Sequence, residues 1–219
     1  MRNRWWSRLL ARAFLARSVA GALALAYCLR STRAHADEPR APAAVDVRVV
    51  NGLGLSGDSG VTGVDFSLQA TLRYRYFEGG ALANLEGGIF GPNTNLYAAA
   101  AGLAYQAPEG IRVDLLALLG EHHYLDLDCG FFCDSHANAT LPWAGARLDL
   151  SYAFARSRHA HFDWGMSVIY GGDLGKKRVQ YVGTDVGLFG DGVSTGIVEV
   201  GGTMGAVELV FGGIFDLGR

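Results

Sequence analysis

The feature that most constrains this chain is an unbroken alternation between Val64 and Tyr76. Val64, Phe66, Leu68, Ala70, Leu72, Tyr74 and Tyr76 fall on one parity, and Asp65, Ser67, Gln69, Thr71, Arg73 and Arg75 on the other. A helix would scatter both classes around its circumference. An extended strand sends successive side chains to opposite faces and so separates them cleanly. The segment reads as a strand with one apolar face and one strongly polar face.

The same period recurs along the chain. Val45, Val47 and Val49 oppose Asp46 and Arg48; Ala81, Ala83, Leu85 and Ile89 oppose Asn84 and Glu86; Tyr97, Ala99, Ala101, Leu103 and Tyr105 share a face. Ile111 to Leu119 oppose Arg112 and Asp114, and Ala144 to Phe154 oppose Arg147, Asp149 and Ser151. Phe162 to Tyr170 oppose Asp163 and Ser167, and Val207 to Phe215 oppose Glu208. That gives eight strands of roughly ten residues, an even number and long enough to cross a bilayer at a tilt. Short turns are expected at Glu78-Gly79-Gly80, Ala107-Pro108-Glu109-Gly110 and Arg156 to Ala160. They alternate with connections that lengthen along the chain, at Ser56 to Gly60, Gly91-Pro92-Asn93, Tyr124 to Asn138 and Asp173 to about Thr195. The predicted fold is all-β: an eight-stranded antiparallel up-and-down transmembrane β-barrel over residues 45–219.

Residues 1–36 read as a signal peptide. Five arginines (Arg2, Arg4, Arg8, Arg12, Arg17) precede the apolar run Ser18 to Leu29, and Ala34-His35-Ala36 offers small residues at the cleavage site. Residues 37–44 then form a short N-terminal periplasmic segment. Seven of the nineteen basic residues and no acid lie in the signal, leaving 12 basic against 21 acidic groups. An acidic chain with no basic stripe is a poor nucleic-acid binder, because phosphate neutralisation needs clustered Lys and Arg. Half the residues are apolar and 18% charged, which excludes disorder as a description of the whole.

Parity alone does not say which face is outside. Lipid is favoured because the polar face pairs Arg with Asp and Glu beside small Gly, Ser and Thr, while the only lysines are Lys176 and Lys177. Aromatics also gather toward the ends of the apolar faces (Tyr74, Tyr76, Tyr97, Tyr105, Tyr152, Phe154, Phe162, Trp164, Tyr170), as at lipid–water boundaries. In these features the chain resembles the small single-chain eight-stranded outer-membrane β-barrel proteins of Gram-negative bacteria. The resemblance covers about Val45 to Phe215 and rests on architecture. Family members usually end on an aromatic residue; here Phe211 and Phe215 keep the parity but Asp216-Leu217-Gly218-Arg219 follow.

Eight strands enclose just enough room for side chains. Asp46, Arg48, Asp65, Arg73, Arg75, Glu86, Arg112, Asp114, Arg147, Asp149, Asp163 and Glu208 are expected to fill that lumen as a mutually neutralising network. A narrow polar channel is the alternative; a wide pore is excluded. In the third long connection Cys129 and Cys133 are expected to form a disulfide. His122, His123, Asp126, Asp128, Asp134 and His136 lie nearby without a recognised metal-ligand spacing, so no metal or other cofactor is expected.

Asp134-Ser135-His136, or His122 or His123 with Ser135 and Glu121, supply the residue types of a nucleophile, base and acid, but no motif anchors either set. His159 and His161 read as solvated turn residues. Lys176-Lys177-Arg178, facing outward, would attract lipopolysaccharide phosphates. The expectation is a non-enzymatic outer-membrane protein with a structural or surface-interaction role, a plugged polar lumen and long extracellular loops. Its partners would be outer-membrane lipids, lipopolysaccharide and an extracellular partner at the loops. The alternatives are a lipid A or phospholipid-modifying enzyme of the same fold, and a soluble periplasmic ligand-binding barrel.

Overall fold

Where the sequence alternates, the backbone is extended and paired. A computed structural model describes residues 45–58, 61–88, 93–107, 109–125, 127, 133–135, 137–154, 160–187 and 190–217. The expected signal peptide, residues 1–36, and the expected periplasmic segment, residues 37–44, lie outside the described residues. The strands are β1 (Val45–Asp58), β2 (Val61–Tyr74), β3 (Phe77–Gly88), β4 (Asn93–Gln106), β5 (Ile111–Leu125), β6 (Cys133–Ser135), β7 (Ala139–Phe154), β8 (Ala160–Asp173), β9 (Lys177–Gly187), β10 (Gly190–Val200) and β11 (Thr203–Asp216). Eight of them close into an antiparallel barrel in the order β1-β11-β8-β7-β5-β4-β3-β2. Closure is made by β1 against β11, with Val47 opposite Phe215 and Asn51 opposite Phe211. No strand edge is left open in the barrel, so its backbone groups pair along every seam.

The barrel strands run from 12 residues in β3 to 16 in β7, longer than their alternating cores. The first tight turn also sits earlier than the glycines imply. Arg75 and Tyr76 make it, with Arg75 at φ 57° in the left-handed region. Gly79 and Gly80 are instead paired within β3, opposite Leu72 and Thr71. The reason is steric. A Cβ on Gly80 would run into the carbonyl oxygen of Ala70 across the seam, so this glycine permits close approach and marks no turn.

The two longest connections, expected as loops, hold the other three strands. β9 and β10 form a long hairpin, and β6 adds to β9 to make a separate three-stranded sheet at the rim. Its inner face carries Val179, Val198 and Val200, which pack on Tyr124, Leu127, Ala139 and Leu141 at the barrel mouth. Asp173 fastens the base of this hairpin. Its carboxylate accepts from Tyr124 Oη at 2.6 Å, from the Gly202 amide at 2.9 Å, and faces His122 Nδ1 at 3.2 Å.

Nor is the interior uniformly polar. Leu82, Leu96, Leu116, Leu118, Trp143, Ile169 and Met204 point inward and form a continuous apolar cluster with Ala98, Ala100 and Ala206. Trp143 is fully buried, and its indole lies where a Cβ on Gly145 or Gly171 would be. Two strands thus give up side chains so that one ring can fill the lumen. Trp143→Ala should cost about 3–5 kcal/mol, the range for emptying a packed aromatic site. Gly171→Val should destabilise even when Trp143 is shortened, because a Cβ there also meets the Ala144 carbonyl oxygen and the Gly145 Cα across the seam. Urea unfolding in detergent micelles checks both.

Candidate functional site

Among the described residues the lumen holds the most extensive polar arrangement. Arg48 on β1 is its hub and is wholly buried. Its Nε donates to Asp163 at 2.6 Å, and its Nη1 donates to Asp114 at 2.8 Å and to Asp149 at 2.6 Å. Arg112 on β5 donates from Nε to Asp114 at 2.8 Å, from Nη2 to Glu78 at 2.9 Å and from Nη1 to Asp46 at 3.3 Å. Asp46 also accepts from Arg73. Arg147 on β7 donates from Nε to Asp149 at 2.8 Å and meets Glu208 at 3.0 Å. The Asn84 amide then links Glu208, at 3.3 Å, to Asp65, at 3.0 Å. Thr94 on β4 donates to Glu86 at 3.2 Å.

Parity explains why these residues meet. Each occupies an inward position of its strand, and each of the eight barrel strands contributes a member. Burying any of these charges alone would be prohibitive, whereas a shared fork geometry satisfies several carboxylates per guanidinium. The arrangement ties the strands together from inside. Four arginines (Arg48, Arg73, Arg112, Arg147) and eight acids are buried in it.

The set differs from the sequence expectation at two positions. Arg75 is not in the lumen: the early turn exposes it, with its guanidinium 5.4 Å over the Tyr74 ring. Glu78, read as a turn residue, is buried and accepts from Arg112 and from Thr71. Once the turn moves to Arg75–Tyr76, parity alone would have placed Glu78 inward. His161 is likewise not a solvated turn residue. It lies in β8, largely buried, with Nε2 3.0 Å from Asp216.

The outer-rim candidates separate. His122 faces inward, against Asp173 and the Tyr124 ring. His123 faces outward, with Nε2 3.3 Å from Glu121 Oε2 and Nδ1 3.2 Å from Thr140 Oγ1. The backbone of Ser135 belongs to the rim sheet, opposite Gly183 of β9, so it is paired away from the barrel strand that carries His123. Asp126, Asp128, His136 and His159 lie outside the described residues. So does the expected Cys129–Cys133 bridge, since Cys129 is not described and of Cys133 only the backbone is. Among the described residues no group of three His, Cys, Asp or Glu side chains is arranged to hold a metal ion. Lys176 and Arg178 both engage Glu199, at 3.0 and 3.2 Å, and their hydrogen bonds hold its carboxyl below the usual range.

Fold and interior define a class: a closed eight-stranded antiparallel barrel, apolar outside and cross-linked by charge within. Among solved structures the chain is similar to the crystal structure of Neisserial surface protein A (NspA). The match has 15% identity and a TM-score of 0.47, and covers 81% of this chain and 100% of that one. No protein-family model matches, and no curated protein matches.

Replacing Arg48 by Met strips three buried carboxylates of a common partner and should cost about 3–5 kcal/mol. Arg48→Lys should recover little of that, because one ammonium cannot reproduce the fork. Arg75→Ala should change stability by less than about 0.5 kcal/mol. Equilibrium unfolding of the three variants side by side is the check.

Proposed function

We propose that this chain is an integral outer-membrane β-barrel whose rim sheet and outer connections act at the cell surface. One observation carries the reading: the inside-out partition of its side chains. Leu68, Leu115, Leu119, Leu148, Met166 and Leu209 are each about half exposed on the barrel wall, while Arg48, Arg112 and Arg147 are wholly buried. An apolar wall that encircles the molecule has no stable place in water, and acyl chains satisfy it. Tyr74, Tyr105, Tyr152 and Trp164 at one end of this wall, and Tyr97 and Tyr170 at the other, suit the two interfaces. These contents of the wall speak against the soluble ligand-binding alternative, which would need the opposite partition.

The lumen is filled, in this reading, by the charge network and the apolar cluster around Trp143, so the barrel is plugged and does not conduct. The end bearing Val45, Asp216 and the Arg75–Tyr76 turn faces the periplasm. The opposite end carries the rim sheet outward, with Lys176, Lys177 and Arg178 at its base, placed to meet phosphate-bearing headgroups of lipopolysaccharide.

The two lysines give a direct test, because the chain has no others. A bulky membrane-impermeant amine reagent applied to intact cells should modify the protein at Lys176 and Lys177, and a Lys176→Arg, Lys177→Arg variant should escape. The protein should also fractionate with outer membranes and migrate differently on gels before and after heating. Recovery in the soluble periplasmic extract would contradict the reading.

A further inference from the structure

On the outward face of the eight barrel strands, among the described residues, only Glu121 and His123 are acidic or basic side chains. They stand two apart on β5, next to the outer rim, where the neighbouring outward positions toward the barrel centre are Leu119 and Ala117. A charged group on a lipid-facing wall is costly, and pairs of them are held for a reason more often than leucines are. Their partner on the adjacent strand is a hydroxyl: Thr140 is directly opposite His123 in the β5–β7 register.

The three form a chain with chemical direction. Both ring nitrogens of His123 are engaged, Nδ1 by Thr140 Oγ1 at 3.2 Å and Nε2 by Glu121 Oε2 at 3.3 Å. A neutral imidazole in this position carries its proton on Nε2, toward the carboxylate, and its lone pair on Nδ1, toward the hydroxyl. That is the relation of nucleophile, base and orienting acid required for acyl transfer. The Tyr97 ring meets the imidazole edge-on, 5.4 Å between centroids and 79° between planes, and fixes its plane. Asn95, opposite His123 on β4, brings a carboxamide donor to the same face. His123 is about one-third exposed and Glu121 two-thirds, so the group is open to the medium around the barrel.

We infer that Thr140, His123 and Glu121 hydrolyse carboxylic esters of acylated lipids at the outer rim. His123 Nδ1 takes the Thr140 hydroxyl proton as Oγ1 bonds to the ester carbonyl carbon. Collapse of the tetrahedral adduct breaks the carbonyl–alkoxy bond, and the departing alcohol takes the proton back from Nδ1. Water then attacks the acyl-threonine with the same nitrogen as base, and a free fatty acid leaves as Thr140 regains its proton. Glu121 accepts the Nε2 proton's hydrogen bond throughout and holds the tautomer. This takes up the lipid-modifying alternative with Thr140 of β7 as nucleophile in place of Ser135, and it takes its substrate from the membrane reading.

The test uses the full chain folded in mixed micelles, with fatty-acid release measured from a diacyl phosphatidylethanolamine and, separately, from lipopolysaccharide. A fluorophosphonate probe followed by peptide mass spectrometry reads the nucleophile. Heat-modifiable migration is scored for every variant, so loss of the barrel is distinguished from loss of activity. Release from either lipid with probe adduct on Thr140 is the expected result. Thr140→Val and His123→Gln should lower release by about 100-fold or more, and Glu121→Gln by a smaller factor. Thr140→Ser should retain both release and labelling. A folded wild-type barrel that releases no fatty acid and takes no probe, or folded Thr140→Val and His123→Gln variants with undiminished release, would overturn the inference.

Discussion

The structure depends on one coupling. Arginine–carboxylate pairing inside the barrel is tolerable only because every second residue can be given to an apolar exterior. With its guanidinium donating to three aspartates on three different strands, Arg48 shows how far that pairing is taken. Such a network gains little as isolated ion pairs; its worth lies in the cost of every alternative register. A one-residue slip of β1 against β2 would turn Asp46 and Arg48 to the wall and bring Val47 and Val49 inward. Register, closure and inside-out partition are therefore one constraint expressed three times.

Much of this was legible because strands encode their two faces in parity. Val64 to Tyr76 announced a strand, and the inward residues of β5, β7, β8 and β11 followed from the same rule. What parity missed has physical causes. At Gly79-Gly80 two glycines read as a turn, yet Gly80 serves a tight strand–strand approach; the error displaced Arg75 and hid Glu78. In the run Leu115 to Leu119 both faces are apolar, so a segment that forms the outer wall on one side and meets the Trp143 cluster on the other loses its period. The rim hairpin was hidden because β9 and β10 are broken by Gly and Thr, and among their described side chains the packed ones are Val179, Val198 and Val200.

The rim also shows how sequence neighbours acquire separate roles. His122 and His123 are adjacent, yet one lies beneath the rim sheet against Asp173 while the other stands on the wall between Glu121 and Thr140. Reading the pair as one loop cluster with Ser135 obscured both placements. The informative signal was again parity: Glu121 and His123 continue the outward series of Ile111, Val113, Leu115, Ala117 and Leu119, where carboxylate and imidazole are out of place. Thr140 could be found only once β7 was known to begin at Ala139 and to pair with β5.

The inside-out partition is measured most directly with the two tryptophans of the barrel, Trp164 on the wall at 55% exposed and Trp143 in the lumen at 0%. Each can be left as the single barrel tryptophan of residues 45–219, Trp143 in Trp164→Phe and Trp164 in Trp143→Phe, and reconstituted in vesicles of bromine-labelled phospholipid. Strong quenching of Trp164 by the brominated chains, with Trp143 left bright, is the predicted result. Quenching of Trp143 with Trp164 unaffected, or a barrel that stays in the aqueous phase with neither quenched, would contradict it.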